Sequence, residues 1–208
     1  MAAEFHQFRH EGALTQMRVD ALMALSTEQG FSVERAEAMY LQGWALVRQG
    51  QVEEGIAQMC QGTAAWRATG AIIGQPHQRA LLAEAYRTAG QIEEGLRVVS
   101  KALDGALRTQ EQWYTAELYR LKGELLLAQS WGYHAEAETC FHQALDITRR
   151  QHAKSLELRA AMSLGRLWQQ QGKRDEAREL LAPIYGWFTE GFDTDDLQEA
   201  KTLLEALA

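Results

Sequence analysis

The sequence predicts an all-α protein, a single solenoid of stacked helical hairpins over residues 1–208. Three observations carry that prediction. The phrase Gly50-Gln51-x-Glu53-Glu54-Gly55 returns 40 residues later as Gly90-Gln91-x-Glu93-Glu94-Gly95, and self-similarity at such a period marks a repeat architecture. Apolar residues fall at helical spacing on both sides of each turn glycine. The composition favours helix throughout: there are only two prolines, while Ala, Leu, Glu, Gln and Arg recur, the residues that lose least on entering a helix.

In chain order, residues 4–29 read as one amphipathic helix. Its end, "ALMALSTEQG", matches the ends of later second helices such as "KALDGALRTQ", so segment 1–30 reads as an unpaired second helix whose partner lies upstream. Segment 33–70 is the first hairpin, with Met39 and Leu46 before the turn and Val52, Ile56 and Met59 after it. Segment 75–110 repeats the pattern with Leu82 and Tyr86, then Ile92, Leu96 and Val99. Segment 112–152 has Leu118, Leu121 and Leu125, extra residues at the turn around Trp131-Gly132, then Ala137, Phe141 and Leu145. Segment 154–190 has Leu164 and Trp168, then Ala177, Leu181 and Ile184; Pro183 within its second helix removes a hydrogen bond and predicts a kink. Segment 193–208 opens on Asp193, Asp195 and Asp196, which suit a helix start, and reads as a solvated capping helix.

Two features recur inside the hairpins. A small residue stands in each first helix, at Gly43, Ala83, Gly123 and Gly165. A glycine there costs about 1 kcal/mol in helix propensity, so close approach of the second helix is its expected reason. The acidic pairs Glu53-Glu54 and Glu93-Glu94 open second helices, where negative charge meets the positive end of the helix dipole. They are helix starters, not catalytic carboxylates.

The chemistry is bounded mainly by exclusion. A net charge of −7 disfavours nucleic acid and anionic lipid, and no apolar run reaches the roughly 20 residues that span a bilayer. Cys60 and Cys140 make no disulfide framework, which points to a reducing cytoplasm; both are expected as packed, inert thiols. Phosphate-loop, dinucleotide, nucleophile-elbow and His-Glu-x-x-His motifs are absent. His6 and His10 share a helix face, but two ligands make no metal site. The sequence therefore predicts no enzyme, no cofactor and no metal.

The slots within these hairpins resemble those of tetratricopeptide repeats. The small residue of the family's first helix matches Gly43, Ala83, Gly123 and Gly165, and that of its second helix matches Gly55, Gly95, Ala137 and Ala177. The large site one turn later matches Met59, Val99, Phe141 and Leu181, and the next small site matches Gly62, Ala102 and Ala144 before departing to Ile184. Family repeats run about 34 residues, so repeats of 40–42 imply hairpins about two turns longer. The resemblance implies a right-handed superhelix whose first helices line a concave groove for a protein or peptide partner. Carried over slot by slot, the partner-binding residues are Tyr40, Trp44, Arg48, Glu84, Arg87, Arg120, Glu124, Arg159 and Arg166. Glu37, Val47, His77, Ala80, Thr88, Glu117, Leu127, Met162 and Gln169 share that face.

Several alternatives stay open. Tyr40 and Trp44, four residues apart, either anchor a partner or pack against the first helix. Glu117, Arg120 and Glu124 are expected to pair with one another. The basic stretch from Arg149 to Arg178 receives an acidic partner or the chain's own acidic tail. At a finer level, "LAEAYRTAGQIEEGL", "AELYRLKGELLL" and "PIYGWFTEGFDTDDLQEAKTLLEAL" resemble the C-terminal repeat region of large bacterial signalling proteins. In those, a class III adenylate or guanylate cyclase or a DNA-binding module is coupled to an NTPase. That resemblance implies a regulatory arm of a longer protein. Small-molecule sensing, as in similar repeat domains of sugar-responsive activators, is the alternative function. A homodimer through the apolar flank of the first helix (Phe5, Phe8, Leu14, Met17, Leu22) is the alternative partner.

Overall fold

The structure, a computed structural model, describes residues 2–208. They form eleven α-helices and one 3₁₀ turn, with no strand among the described residues. The chain divides after Gln110 into two compact units. Unit 1 contains α1 (Ala2–Phe8), α2 (Gly12–Gln29), α3 (Ser32–Arg48), α4 (Val52–Ala68), α5 (Gln75–Thr88) and α6 (Ile92–Thr109). Unit 2 contains α7 (Thr115–Gln129), the 3₁₀ turn Trp131–Tyr133, α8 (His134–Gln151), α9 (Lys154–Gln170), α10 (Arg174–Tyr185) and α11 (Asp195–Ala206). Consecutive helices pair as hairpins. In unit 1 the first helices α1, α3 and α5 adjoin one another in one layer; in unit 2, α7, α9 and α11 do so.

The turns inside the hairpins explain why the phrase repeats. Gly50, Gly90 and Gly172 have φ of 87°, 73° and 80°, left-handed values that only glycine reaches without penalty. After each, the next amide bonds back to the last turn of the preceding helix: Gln51 to Leu46, Gln91 to Tyr86 and Lys173 to Trp168, at 2.9–3.0 Å. This closure satisfies carbonyls that a helix end otherwise leaves unpaired. Glu53-Glu54 and Glu93-Glu94 then stand in the first turns of α4 and α6. In the third hairpin the turn glycine is replaced by the 3₁₀ segment, where the Ser130 hydroxyl accepts from the Gly132 amide at 3.3 Å. The hairpin helices α3 to α9 run 14 to 18 residues, so the surplus length does lie in the helices.

Packing separates the small-residue positions into two kinds. A Cβ on Gly43 would stand 2.5 Å from the Gly55 carbonyl oxygen, and one on Gly55 would stand 2.6 Å from that of Gly43. The backbones of α3 and α4 are thus in direct contact. At Gly123 the space is taken by the Phe141 ring, 2.5 Å from an added Cβ. Gly165 departs from the expectation: its nearest neighbours would be Leu203 at 3.6 Å and Ala177 at 3.9 Å, ordinary van der Waals contact. The helices there do not need glycine to approach.

Two further expectations are corrected. Residues 4–29 do not form one helix. His10 adopts φ 60°, and the Glu11 carboxylate holds the break through His6 Nδ1 at 2.6 Å and Arg9 Nε at 2.7 Å. Folding α1 back on α2 buries Ala3 and Gln7, so the segment is a short hairpin and α2 is not unpaired. Pro183 stands inside α10, as expected, and the helix ends at Tyr185 after 12 residues. Cys60 is exposed rather than packed, on the outer face of α4, with Sγ 3.9 Å from the Tyr86 hydroxyl oxygen. Cys140 is buried, and burial pushes its thiol pKa up.

The two kinds of glycine make opposite predictions. Gly43→Ala should lose about 1–3 kcal/mol, since the added methyl meets backbone atoms that cannot yield. Gly165→Ala should be neutral or gain about 0.5–1 kcal/mol from helix propensity. Urea denaturation of both variants checks the contrast.

Candidate interaction surface

The first-helix layer of each unit carries most of the residues expected to bind a partner. In unit 1, α3 and α5 border a cleft of about 150 Å³. Trp44, Val47 and Arg48 line one wall, and Glu84, Arg87 and Thr88 line the other. Trp44, Arg48, Glu84 and Arg87 are therefore brought together as the slot-by-slot reading required. Arg48 and Arg87 are exposed at the rim and Glu84 is half-buried. With two cations and one anion, the cleft favours an acidic ligand.

Tyr40 is not part of an open face. It is 2% exposed, edge-on to Trp66 with centroids 6.4 Å apart and to His77 at 6.3 Å. Helix α1 closes over the same region. Phe8 stacks on the His77 ring at 5.0 Å, and His77 Nε2 hydrogen-bonds Gln7 Oε1 at 2.9 Å. Trp44, also 2% exposed, lies 6.4 Å from His10 and keeps only an edge on the cleft. Packing against the N-terminal segment thus prevails over the exposed aromatic anchor. The physical reason is that α1 needs an apolar surface to cover its own short length.

In unit 2 the corresponding layer is held by charge. Arg120 donates to both oxygens of Glu117, from Nη2 at 2.5 Å and Nε at 2.8 Å, and from Nη1 to Glu124 Oε1 at 2.5 Å. The Ser163 hydroxyl donates to the same Glu124 oxygen at 2.9 Å, which ties α7 to α9. Arg159 Nε donates to Asp196 Oδ2 at 2.7 Å, and Arg166 Nη2 to Glu199 Oε2 at 2.7 Å, which ties α9 to α11. Arg159 is buried. Burial opposes its charge, yet the Asp196 and Glu117 carboxylates raise its pKa above the ordinary guanidinium value. Arg159 is therefore corrected from partner-binding residue to internal strut, and Arg120 and Glu124 are engaged with one another.

Of the two uses foreseen for the basic stretch, the acidic tail is the one found for Arg159 and Arg166. Arg174 Nη2 adds a bond to the Ala206 carbonyl at 2.8 Å. Helix α11 is thereby more than a cap. With α9 it walls a cleft of about 620 Å³, lined among others by Arg166, Gln169, Gln170, Gln198, Glu199 and Thr202. The glutamines Gln170 and Gln198 were not foreseen, because nothing in their spacing distinguishes them from solvated helix residues. Among the described residues, no group of three or more His, Cys, Asp or Glu side chains is placed to hold a metal, and no helix is long and apolar enough to cross a membrane.

Comparison with known proteins bears on this layered geometry. A tetratricopeptide repeat family model matches residues 76–100 and 158–183. The nearly identical TPR-like repeats of a candidate kinesin light chain from Podosopora anserina superpose with a TM-score of 0.59 at 20% identity, covering 88% of this chain and 90% of that one. A single-substitution variant of the same repeats gives 0.60 with the same identity and coverage. The fold is TPR-like. No curated protein matches the chain. Within the TPR-like frame, the matched segments cover α5 with the start of α6, and α9 with most of α10, so each holds one intact glycine turn.

Two charge tests follow from unit 2. Asp196→Asn removes the carboxylate bonded to buried Arg159, leaving Glu117 to offset its charge, and should cost about 2–4 kcal/mol, whereas Arg166→Ala, at an exposed pair, should cost under about 1 kcal/mol. Hydrogen exchange of the α11 amides reads both. Glu157 supplies a pH test. Burial alone would raise its pKa, but bonds from Lys154 at 2.7 Å and Arg149 at 3.2 Å hold it below the ordinary 4.5. A depressed carboxylate stabilises above its unfolded value and loses that contribution as pH falls through its folded value. The stability difference between wild type and Glu157→Gln should thus be full at neutral pH and be lost as pH falls below the ordinary carboxylate value and through the lower folded one.

Proposed function

We propose that the chain is a non-catalytic protein-interaction scaffold that binds an acidic peptide or helix on its first-helix face. We further propose that it works in the cytoplasm as the regulatory arm of a larger bacterial signalling protein. The observation that carries the binding reading is the unit 1 cleft, where Arg48 and Arg87 stand at the rim with Glu84 between them and buried Trp44 at the base. Positive charge at the rim of a groove steers an acidic partner. The signalling role rests on the sequence resemblance of the repeat phrases.

Two other readings have an observation behind them. The unit 2 cleft, at about 620 Å³, is in the size range of small-ligand sites, which supports metabolite sensing; a thermal-shift screen tests it. Self-association through the N-terminal helices is supported by Leu14 and Met17, which stay exposed.

The main proposal is tested by capture from host lysate, followed by affinity measurement with the captured partner. Arg48→Glu with Arg87→Glu should weaken binding by about tenfold or more while circular dichroism is unchanged. Unaltered affinity in that double variant removes the unit 1 cleft from the binding surface.

A further inference from the structure

The outer face of α2 differs from that of every other second helix. The helices align on their buried small residue: Thr15 in α2, then Gly55, Gly95, Ala137 and Ala177. One position earlier stand Glu54, Glu94, Glu136 and Glu176, but α2 has Leu14. Two positions later stand Ala57, Arg97, Thr139 and Glu179, but α2 has Met17. Six positions later stand Gln61, Lys101, Gln143 and Pro183, against Ala21. Nine positions later α2 has Ala24 and α4 likewise Ala64, where the later helices have Asp104 and Asp146.

Leu14, Met17, Ala21 and Ala24, with Leu25 beside them, follow helical spacing and share one face. Leu14 is 40% exposed, Met17 59% and Leu25 52%. A neighbouring hairpin is not the natural cover for the centre of this stripe. In α4 and α6, which do have a preceding hairpin within unit 1, the aligned residues Ala57, Gln61, Arg97 and Lys101 remain exposed. An apolar stripe at a slot that is otherwise solvated marks an interface.

We infer that a second copy of this chain covers the stripe from Met17 to Leu25, α2 packing antiparallel on its two-fold equivalent. This rests on the self-association reading above and names its surface. Charge selects the occupant. Arg18 follows Met17 within the stripe and Glu28 lies three residues past Leu25, both exposed and neither in an ion pair among the described residues. They are separated by about 15 Å along the helix at 1.5 Å per residue. An antiparallel two-fold brings Arg18 of each copy to Glu28 of the other, twice, as an isologous contact requires. Ala21 and Ala24, between them, let the two backbones cross closely.

Sedimentation velocity from about 1 to 100 µM tests this. Wild type should dimerise within that range. Met17→Glu should weaken the dimer by at least about tenfold. Arg18→Glu and Glu28→Arg should each weaken it, and the two together should restore it, because the swap returns opposite charges to each contact. A wild-type monomer at every concentration overturns both this interface and the self-association reading. A dimer indifferent to Met17→Glu overturns the α2 interface alone, leaving association through another surface. A double charge swap no tighter than the singles overturns the antiparallel pairing.

Discussion

Backbone contact between paired helices is the constraint on which the rest of the structure depends. Where Gly43 faces the Gly55 carbonyl, any side chain would push the helices apart, and the apolar stripes on either side would lose the contacts that bury them. The left-handed glycine after each first helix performs a matching task along the chain. It reverses direction within a few residues and closes the helix end with hydrogen bonds, so that the second helix starts in register with the small residue it must meet. Turn and contact are spaced along one helix, which is why they recur together at a fixed period.

Between hairpins the structure uses different means in its two units. In unit 1, α1 lies over aromatic rings, with Phe8, His77, Tyr40 and Trp66 in successive contact. In unit 2 the first helices are joined by Arg120 with its two glutamates and by Arg159 with Asp196. Buried ion pairs contribute little net stability when compared with apolar packing, but they penalise misregistered alternatives severely. Such struts suit a layer that must keep its spacing while presenting polar groups outward. They also engage charge that would otherwise face outward from that layer.

The sequence reading located the hairpins well because helical periodicity and turn glycines act over short range. It anticipated the Glu117–Arg120–Glu124 cluster for the same reason, since those residues are one turn apart on α7. It placed Trp44, Arg48, Glu84 and Arg87 on a common face by slot, and that grouping does occur. It misplaced Tyr40 and Arg159, whose surroundings come from α1 and α11, segments distant in sequence. It read a close approach into Gly165, where an added Cβ would meet nothing nearer than Leu203 at 3.6 Å. For Tyr40 and Arg159 the cover is a terminal helix, where the repeat pattern lapses and slot-based reasoning has no template.

What the sequence alone determined was the unit of construction: two helices, their length, the turn that joins them and the small residues at their crossing. These are local properties, set by backbone sterics and the 3.6-residue period. What only the tertiary structure decided was which first-helix residues remain accessible. Accessibility depends on segments that arrive from elsewhere in the chain, as α1 does over Tyr40 and α11 does over Arg159. No rule of spacing encodes that meeting, because it is selected by the total apolar area and charge that each terminal helix can satisfy when it docks.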